Sequence, residues 1–194
     1  MSKYINILDI CHKATDVLGP GNRFILWVQG CPFNCKSCAT PDGIPIVPNK
    51  LFKLDTIIQL IIKNKNIDGI TISGGEPFLQ ASKLYTILNK VLLVRPKLNV
   101  IVYTGFKYDS LDWKEAKKLL TKIDLLIDGP YIDSLNNNKG LRGSVNQNFI
   151  FLTERLKPYK EYFYNSHRKI EVHIDNFNQT IIGIPNKQIL KTIL

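Results

Sequence analysis

Between Arg23 and Asp128 the chain alternates two kinds of hydrophobic pattern. Short, nearly continuous apolar runs at Arg23–Gln29 (RFILWVQ), Asp68–Ile72, Leu98–Tyr103 and Ile123–Ile127 read as buried strands. The segments between them repeat apolar residues at helical spacing. Leu54–Lys63 does so at Leu54, Ile57, Ile58, Ile61 and Ile62, with Asp55 near its start as a candidate cap. Leu79–Val94 does so at Leu84, Ile87, Leu88 and Val91 and stops before Pro96, and Asp112–Thr121 supplies a third helix. Strand, helix, strand in this order predicts an α/β fold of parallel strands joined by crossovers.

After Asp128 the alternation stops. A long polar segment, Gly129–Gln147, leads to a strand-like NFIFL at 148–152. Further strands are predicted near Ile170–Ile174 and Thr180–Ile184, and a short helix at the end. No internal repeat or linker interrupts the chain, so one domain over 1–194 is expected, with a core of about 17–152 and a C-terminal extension over 153–194.

The hydrophobic content of 44% is that of an ordinary globular protein. No apolar run is long enough for a membrane span, and MSKYINILDI lacks the charged-then-apolar order of a signal peptide. A cytoplasmic location is therefore expected, where structural disulfides are uncommon. The net charge of +10 comes from 26 basic and 16 acidic residues, scattered rather than gathered into an arm or motif. The expectation is a solvated basic surface, with neither a nucleic-acid footprint nor a membrane partner.

Ligands of parallel sheets sit beyond the carboxyl ends of the strands. Here those ends lead into GCPFNCKSCATPDG, SGGEP, TGF and DGPY, so the unusual sequence falls on one rim. Three of the four cysteines, Cys31, Cys35 and Cys38, lie within eight residues, and Cys11 stands apart. Three readings follow from the thiols alone. A structural zinc site would need Cys11 or His12 as a fourth ligand. A Cys35–Cys38 redox pair would leave Cys31 without a role. A [4Fe-4S] cluster on three thiolates would keep one iron open to bind and activate a ligand, whereas four would make an electron carrier. Pro32 and Asn34 favour the tight turns such a loop needs.

The combination of Cys31-Pro-Phe-Asn-Cys35-Lys-Ser-Cys38 with Ser73-Gly74-Gly75-Glu76-Pro77 resembles the radical S-adenosylmethionine superfamily. The resemblance implies that the three cysteines bind a [4Fe-4S] cluster whose open iron chelates S-adenosylmethionine. It places Gly74, Gly75, Glu76 and Pro77 beside the methionine amino group. Glycines allow close backbone approach to a ligand, and Glu76 can accept from an ammonium. Gly19-Pro-Gly-Asn-Arg23, Asp128-Gly-Pro-Tyr131 and Arg142-Gly-Ser-Val-Asn-Gln147 extend the resemblance to the activases of anaerobic ribonucleotide reductase, within the glycyl-radical-enzyme activating group. Ser37 stands where these activases tend to have glycine, and Ala39-Thr40-Pro41 where they tend to read His-Asn-Pro.

The resemblance implies a partial (βα) barrel with flanking helices and a reductive enzyme. Its partners would be a glycyl-radical enzyme, such as an anaerobic ribonucleotide reductase, and a flavodoxin- or ferredoxin-type reductant. Other radical chemistry on a peptide or small molecule remains an alternative, as do a zinc-stapled interaction module and an electron carrier. Thr104 and Asp128 end strands on the active rim. Asp128 would either hydrogen-bond the nucleoside ribose or take a capping or turn role. Arg142, beside glycines in a loop, can pair with carboxylate or phosphate. Cys11 reads as a small apolar residue on a strand, and His12, His167 and His173 as ordinary strand or surface residues.

Overall fold

The computed structural model describes residues 3–174 and 179–185. A long strand β1 (Tyr4–Thr15) is followed by β2 (Asn22–Val28), the cysteine loop and a short β3 (Lys50–Lys53). Next come α1 (Leu54–Lys63), β4 (Gly69–Gly74), α2 (Ala81–Val94), β5 (Asn99–Tyr103), α3 (Lys114–Leu120), β6 (Leu125–Asp128) and β7 (Asn148–Phe151). A short helix α4 (Lys160–Asn165) and the strands β8 (Ile170–Ile174) and β9 (Gln179–Gly183) follow. The helix expected at the end lies outside the described residues.

Seven strands form one sheet in the order β3-β1-β2-β4-β5-β6-β7. Its centre, β2, β4, β5 and β6, is parallel, as the alternating pattern predicts. β1, β3 and β7 are antiparallel additions. The α/β class is as expected, but the sheet keeps two edges, and the expected partial (βα) barrel takes the form of an open sheet with a parallel centre. The edge strand β3 is four residues long and carries Lys50 and Lys53 at its ends, which discourages edge-to-edge pairing.

Alternate strand residues serve opposite faces. Phe24, Leu26, Ile70, Ile72, Val100 and Val102 pack with Ile57 and Ile61 of α1, Leu84, Leu88 and Val91 of α2, and Leu119 of α3. The other face is equally apolar. Ile25 and Trp27 pack with Ile182 of β9, and Ile101, Leu125 and Ile127 with Leu141 and Phe163 of α4. Burial on both faces explains why the strands read as continuous apolar runs. Asp55 does not cap α1. Lys53 holds the cap position without a side-chain bond, and Asp55 instead meets Lys90 of α2 at 3.0 Å in an exposed pair.

Arg23 is fully buried at the amino ends of the parallel strands. Its Nε donates to Thr71 Oγ1 at 2.5 Å, Nη1 to Asn99 Oδ1 at 2.7 Å and Nη2 to the Ile70 carbonyl at 2.7 Å. One guanidinium thus joins β2, β4 and β5. A Cβ on Gly69 would lie 2.5 Å from Nη1, and one on Gly19 would lie 2.7 Å from Cδ, so both glycines are required by this side chain. Burial pushes the Arg23 pKa down to about 10.

Candidate functional site

The four parallel strands end on one rim, and one cavity opens there. Cys31, Cys35 and Cys38 line it, as do Gly74, Gly75, Glu76 and Thr104. The cysteine loop after β2 turns back twice. Asn34 (φ 43°) and Ser37 (φ 58°) take left-handed conformations one residue before Cys35 and Cys38. The loop is tied down at its base, where Gly30 N donates to Gly43 O at 2.8 Å and Cys31 N to Ile44 O at 3.0 Å. Buried Gln29 donates through Nε2 to the carbonyls of Asp42 (3.0 Å) and Pro45 (2.8 Å). The four cysteines are free thiols.

The turn after β4 is packed backbone against backbone. Gly75 N donates to Val28 O and Glu76 N to Gly30 O, both at 2.7 Å. A Cβ on Gly75 would overlap the carbonyl oxygens of Gly30 and Gly43, and one on Gly74 (φ 100°) would sit 2.5 Å from Val28 N. Backbone already in place requires both glycines, Gly74 through the close approach of the end of β2 and Gly75 through that of the cysteine loop. Thr40 adds a side-chain tie, its hydroxyl donating to Gly74 O at 3.0 Å.

Glu76 is 1% exposed, yet it forms part of the cavity wall. Its Oε1 accepts from Phe78 N (2.9 Å) and the Thr104 hydroxyl (2.8 Å), and its Oε2 from Gly105 N (2.8 Å). A carboxylate offers about four acceptor positions, so these three donors leave about one for a cationic ligand. Burial outweighs the donors and pushes the Glu76 pKa up to about 7. Burial also pushes the Cys31 and Cys35 thiols up, and Glu76 adds to the effect at Cys31.

Residues 17–150 match the family model of the 4Fe-4S single cluster domain. The anaerobic ribonucleoside-triphosphate reductase-activating protein of Haemophilus influenzae is 37% identical over 145 residues, which cover 70% of this chain and 92% of that protein. The protein of the same name from Enterobacteria phage T4 is 32% identical over 144 residues, covering 72% and 90%. The chain belongs to this family of radical S-adenosylmethionine activases. The pyruvate formate-lyase-activating enzyme of Staphylococcus epidermidis is more distant, 28% identical over 151 residues and covering 74% of this chain and 60% of that enzyme.

The thiols fit the four-iron cluster of this family better than a single ion. Among the described residues, no three Cys, His, Asp or Glu groups converge closely enough to hold one metal ion. A four-iron cube, with each thiolate on a different iron, keeps its ligand sulfurs farther apart than one ion does. The half-buried sulfurs also face a cavity with room beyond them. Neither proposed fourth zinc ligand lines the cavity. Cys11 is buried on β1, its thiol donating to Lys13 O at 3.2 Å, and His12 packs edge-on to Phe24.

Three expected site residues do not line the cavity. Pro77 is buried as the first residue of a 3-10 turn, Pro77–Gln80. The Asp128 carboxylate ties the loop after β5 to β7, accepting from Tyr108 N at 2.7 Å and Asn148 Nδ2 at 2.9 Å. The Arg142 guanidinium lies over the rings of Phe149 and Tyr164 and donates to Gln147 O at 2.9 Å. It holds its loop together from within. The sequence reading missed Thr40, Tyr131 and the Gly183–Pro185 stretch, which all line the cavity. Thr40 carried a signal as a departure from the activase pattern and Tyr131 as the end of the Asp128-Gly-Pro-Tyr131 motif, whereas Gly183–Pro185 carried none. No helix among the described residues is long and apolar enough to cross a membrane.

Proposed function

We propose that this chain activates a glycyl-radical enzyme, with an anaerobic ribonucleoside-triphosphate reductase as the favoured partner. The observation that carries the reading is the opening of three cysteines, and no fourth, onto the same cavity as Glu76. In this reading Cys31, Cys35 and Cys38 ligate the cluster, and Glu76 with the Gly74–Gly75 turn receives the amino group of S-adenosylmethionine. With both cofactors held there, the site would supply one-electron reductive cleavage of the sulfonium to methionine and a 5′-deoxyadenosyl radical, the species that would take a hydrogen atom from the partner's glycine. The electron comes from outside the chain, and a flavodoxin- or ferredoxin-type protein is the proposed donor.

The protein's own part is to orient and to exclude. Thr104 and Gly105 fix the Glu76 carboxylate so that its remaining acceptor position is set before a ligand arrives. An ammonium there restores the ionised form that burial disfavours. The Thr40 hydroxyl holds the third-cysteine end of the loop to Gly74, which keeps cluster ligands and amino-group receptor in register. The Gly129–Gln147 segment follows β6 on the same rim, and Gly129, Tyr131, Asn136, Gly143 and Gln147 line the cavity. We assign it to the surface that receives the partner's glycine loop and keeps water from the radical.

The names of the relatives support this choice of partner. The test is a doublet glycyl-radical signal by electron paramagnetic resonance after anaerobic incubation with reductant, S-adenosylmethionine and the reductase of the same cell. A signal that depends on all components is expected. Its absence from every glycyl-radical enzyme of that cell, with cosubstrate cleavage intact, would point to another substrate.

A further inference from the structure

The chain beyond residue 150, where the family match ends, helps to build the cavity. Half-buried Arg168 grips the Gly129–Gln147 segment from outside. Its Nε donates to Gly140 O at 3.2 Å and its Nη2 to Arg142 O at 2.5 Å and Gly143 O at 3.3 Å. Its Nη1 donates to Asn136 Oδ1 at 2.9 Å. The two backbones also meet directly, Gly140 N bonding to Ser166 O at 3.0 Å and Leu141 N to Phe163 O at 2.8 Å. Gly140 (φ 65°) permits this contact, since a Cβ there would lie 2.6 Å from Tyr164 O.

The grip reaches the cavity through a relay. With its carbonyl held by Arg168, Asn136 turns Nδ2 toward Tyr131 Oη at 3.3 Å. The Tyr131 hydroxyl donates onward to Asp133 Oδ1 at 2.8 Å, which leaves its oxygen free to accept. The tyrosine ring packs over Gly143, where a Cβ would lie 2.8 Å from Cδ2. Asn136, Tyr131 and Gly143 all line the cavity.

We infer that Arg168 is a positioning residue for the partner's polypeptide, holding Asn136 and Tyr131 in the wall against which a glycine-bearing peptide lies. The inference rests on the activase reading. The chemistry of the wall selects the ligand. It presents an amide, a phenol and a glycine, while both nearby guanidinium groups are turned into the loop's own carbonyls. Such a wall matches the amides of a peptide with small side chains and offers no countercharge to the carboxylate of the cosubstrate. A planar guanidinium can hold acceptors on two sides at once, which a lysine ammonium does with less directional control.

The experiment uses the full chain, reconstituted anaerobically, with the anaerobic reductase of the same cell. Arg168→Ala and Asn136→Ala are each expected to raise the KM for the reductase, and the Kd measured between the two proteins, on the order of tenfold with kcat little changed. Arg168→Lys should fall between Arg168→Ala and the wild type, and its uncoupled cleavage of S-adenosylmethionine should stay at the wild-type rate. Asn136→Ala keeps the backbone grip of Arg168, so it tests the relay even if Arg168→Ala folds poorly. Partner KM and Kd unchanged in both alanine variants, with an active wild type, would overturn the inference alone. Cosubstrate cleavage that falls in step with activation in Arg168→Lys would also overturn it, by moving the loop into the cosubstrate site. A wild type that gives no glycyl radical would overturn the activase reading, and this inference with it.

Discussion

The Thr104 hydroxyl donates to Glu76 Oε1 at 2.8 Å and accepts from Phe106 N at 3.1 Å. The backbone donor directs the hydroxyl proton at the carboxylate, so the end of β5 sets the orientation of the residue after β4. Sheet order makes this possible, because β4 and β5 are neighbours in parallel register.

Thr104→Val keeps the shape and removes the donor. It should retain the cluster and weaken S-adenosylmethionine binding on the order of tenfold or more, the equivalent of about 1.5–3 kcal/mol for one hydrogen bond to a charged group. Thr104→Ser should restore most of the loss. Calorimetric titration of the reconstituted protein measures both.

The Glu76 carboxyl is raised to about 7 by burial, so the folded chain holds this proton more tightly than the unfolded chain does. Its contribution to stability is therefore fully present below the ordinary carboxylate range and lost as pH rises through about 7. Denaturation of the cofactor-free protein between pH 4.5 and 8 should show that loss, and Glu76→Gln should flatten it. An equal slope in the variant would assign the pH dependence to other groups.

Ser37 holds a left-handed conformation that glycine adopts without strain. Ser37→Gly should stabilise the cofactor-free chain by about 0.5 kcal/mol, the relief of roughly 1 kcal/mol less the extra freedom of glycine in the unfolded chain. Ser37→Val should destabilise it and lower cluster retention. Thermal melts and iron content follow the two effects separately.

Arg23→Leu removes a buried guanidinium and leaves Thr71, Asn99 and the Ile70 carbonyl without their donor. A loss of about 3 kcal/mol or more is expected, since each stranded buried polar group costs about 1–3 kcal/mol. Urea denaturation should show it as a lower midpoint with an unchanged slope.

The parallel centre of the fold was legible because strands buried on both faces read as unbroken apolar runs and α1, α2 and α3 carry an apolar stripe. β1 was not, although it is the longest strand. YINILDICHKAT has no steady alternation, and its pairing with β2 shifts register between Ile7 and Asp9 and between Cys11 and Ala14. The cysteines and Glu76 were legible as types at a spacing. What sequence did not carry was the use of each polar group. Asp128 and Arg142 belong to segments on the rim, but Asp128 is engaged by Tyr108 and Asn148, and Arg142 by the Gln147 carbonyl and the rings of Phe149 and Tyr164. Arg168 looked like one charge among many, because its acceptors are carbonyls more than twenty residues away in the chain.

The most direct test of cluster ligation is the iron and sulfide content of anaerobically reconstituted Cys31→Ala, Cys35→Ala, Cys38→Ala and Cys11→Ala proteins. The wild type and Cys11→Ala should each hold about four iron and four sulfide per chain, and each of the other three variants should lose most of both. A full complement in any of those three, or its loss from Cys11→Ala, would contradict the assignment.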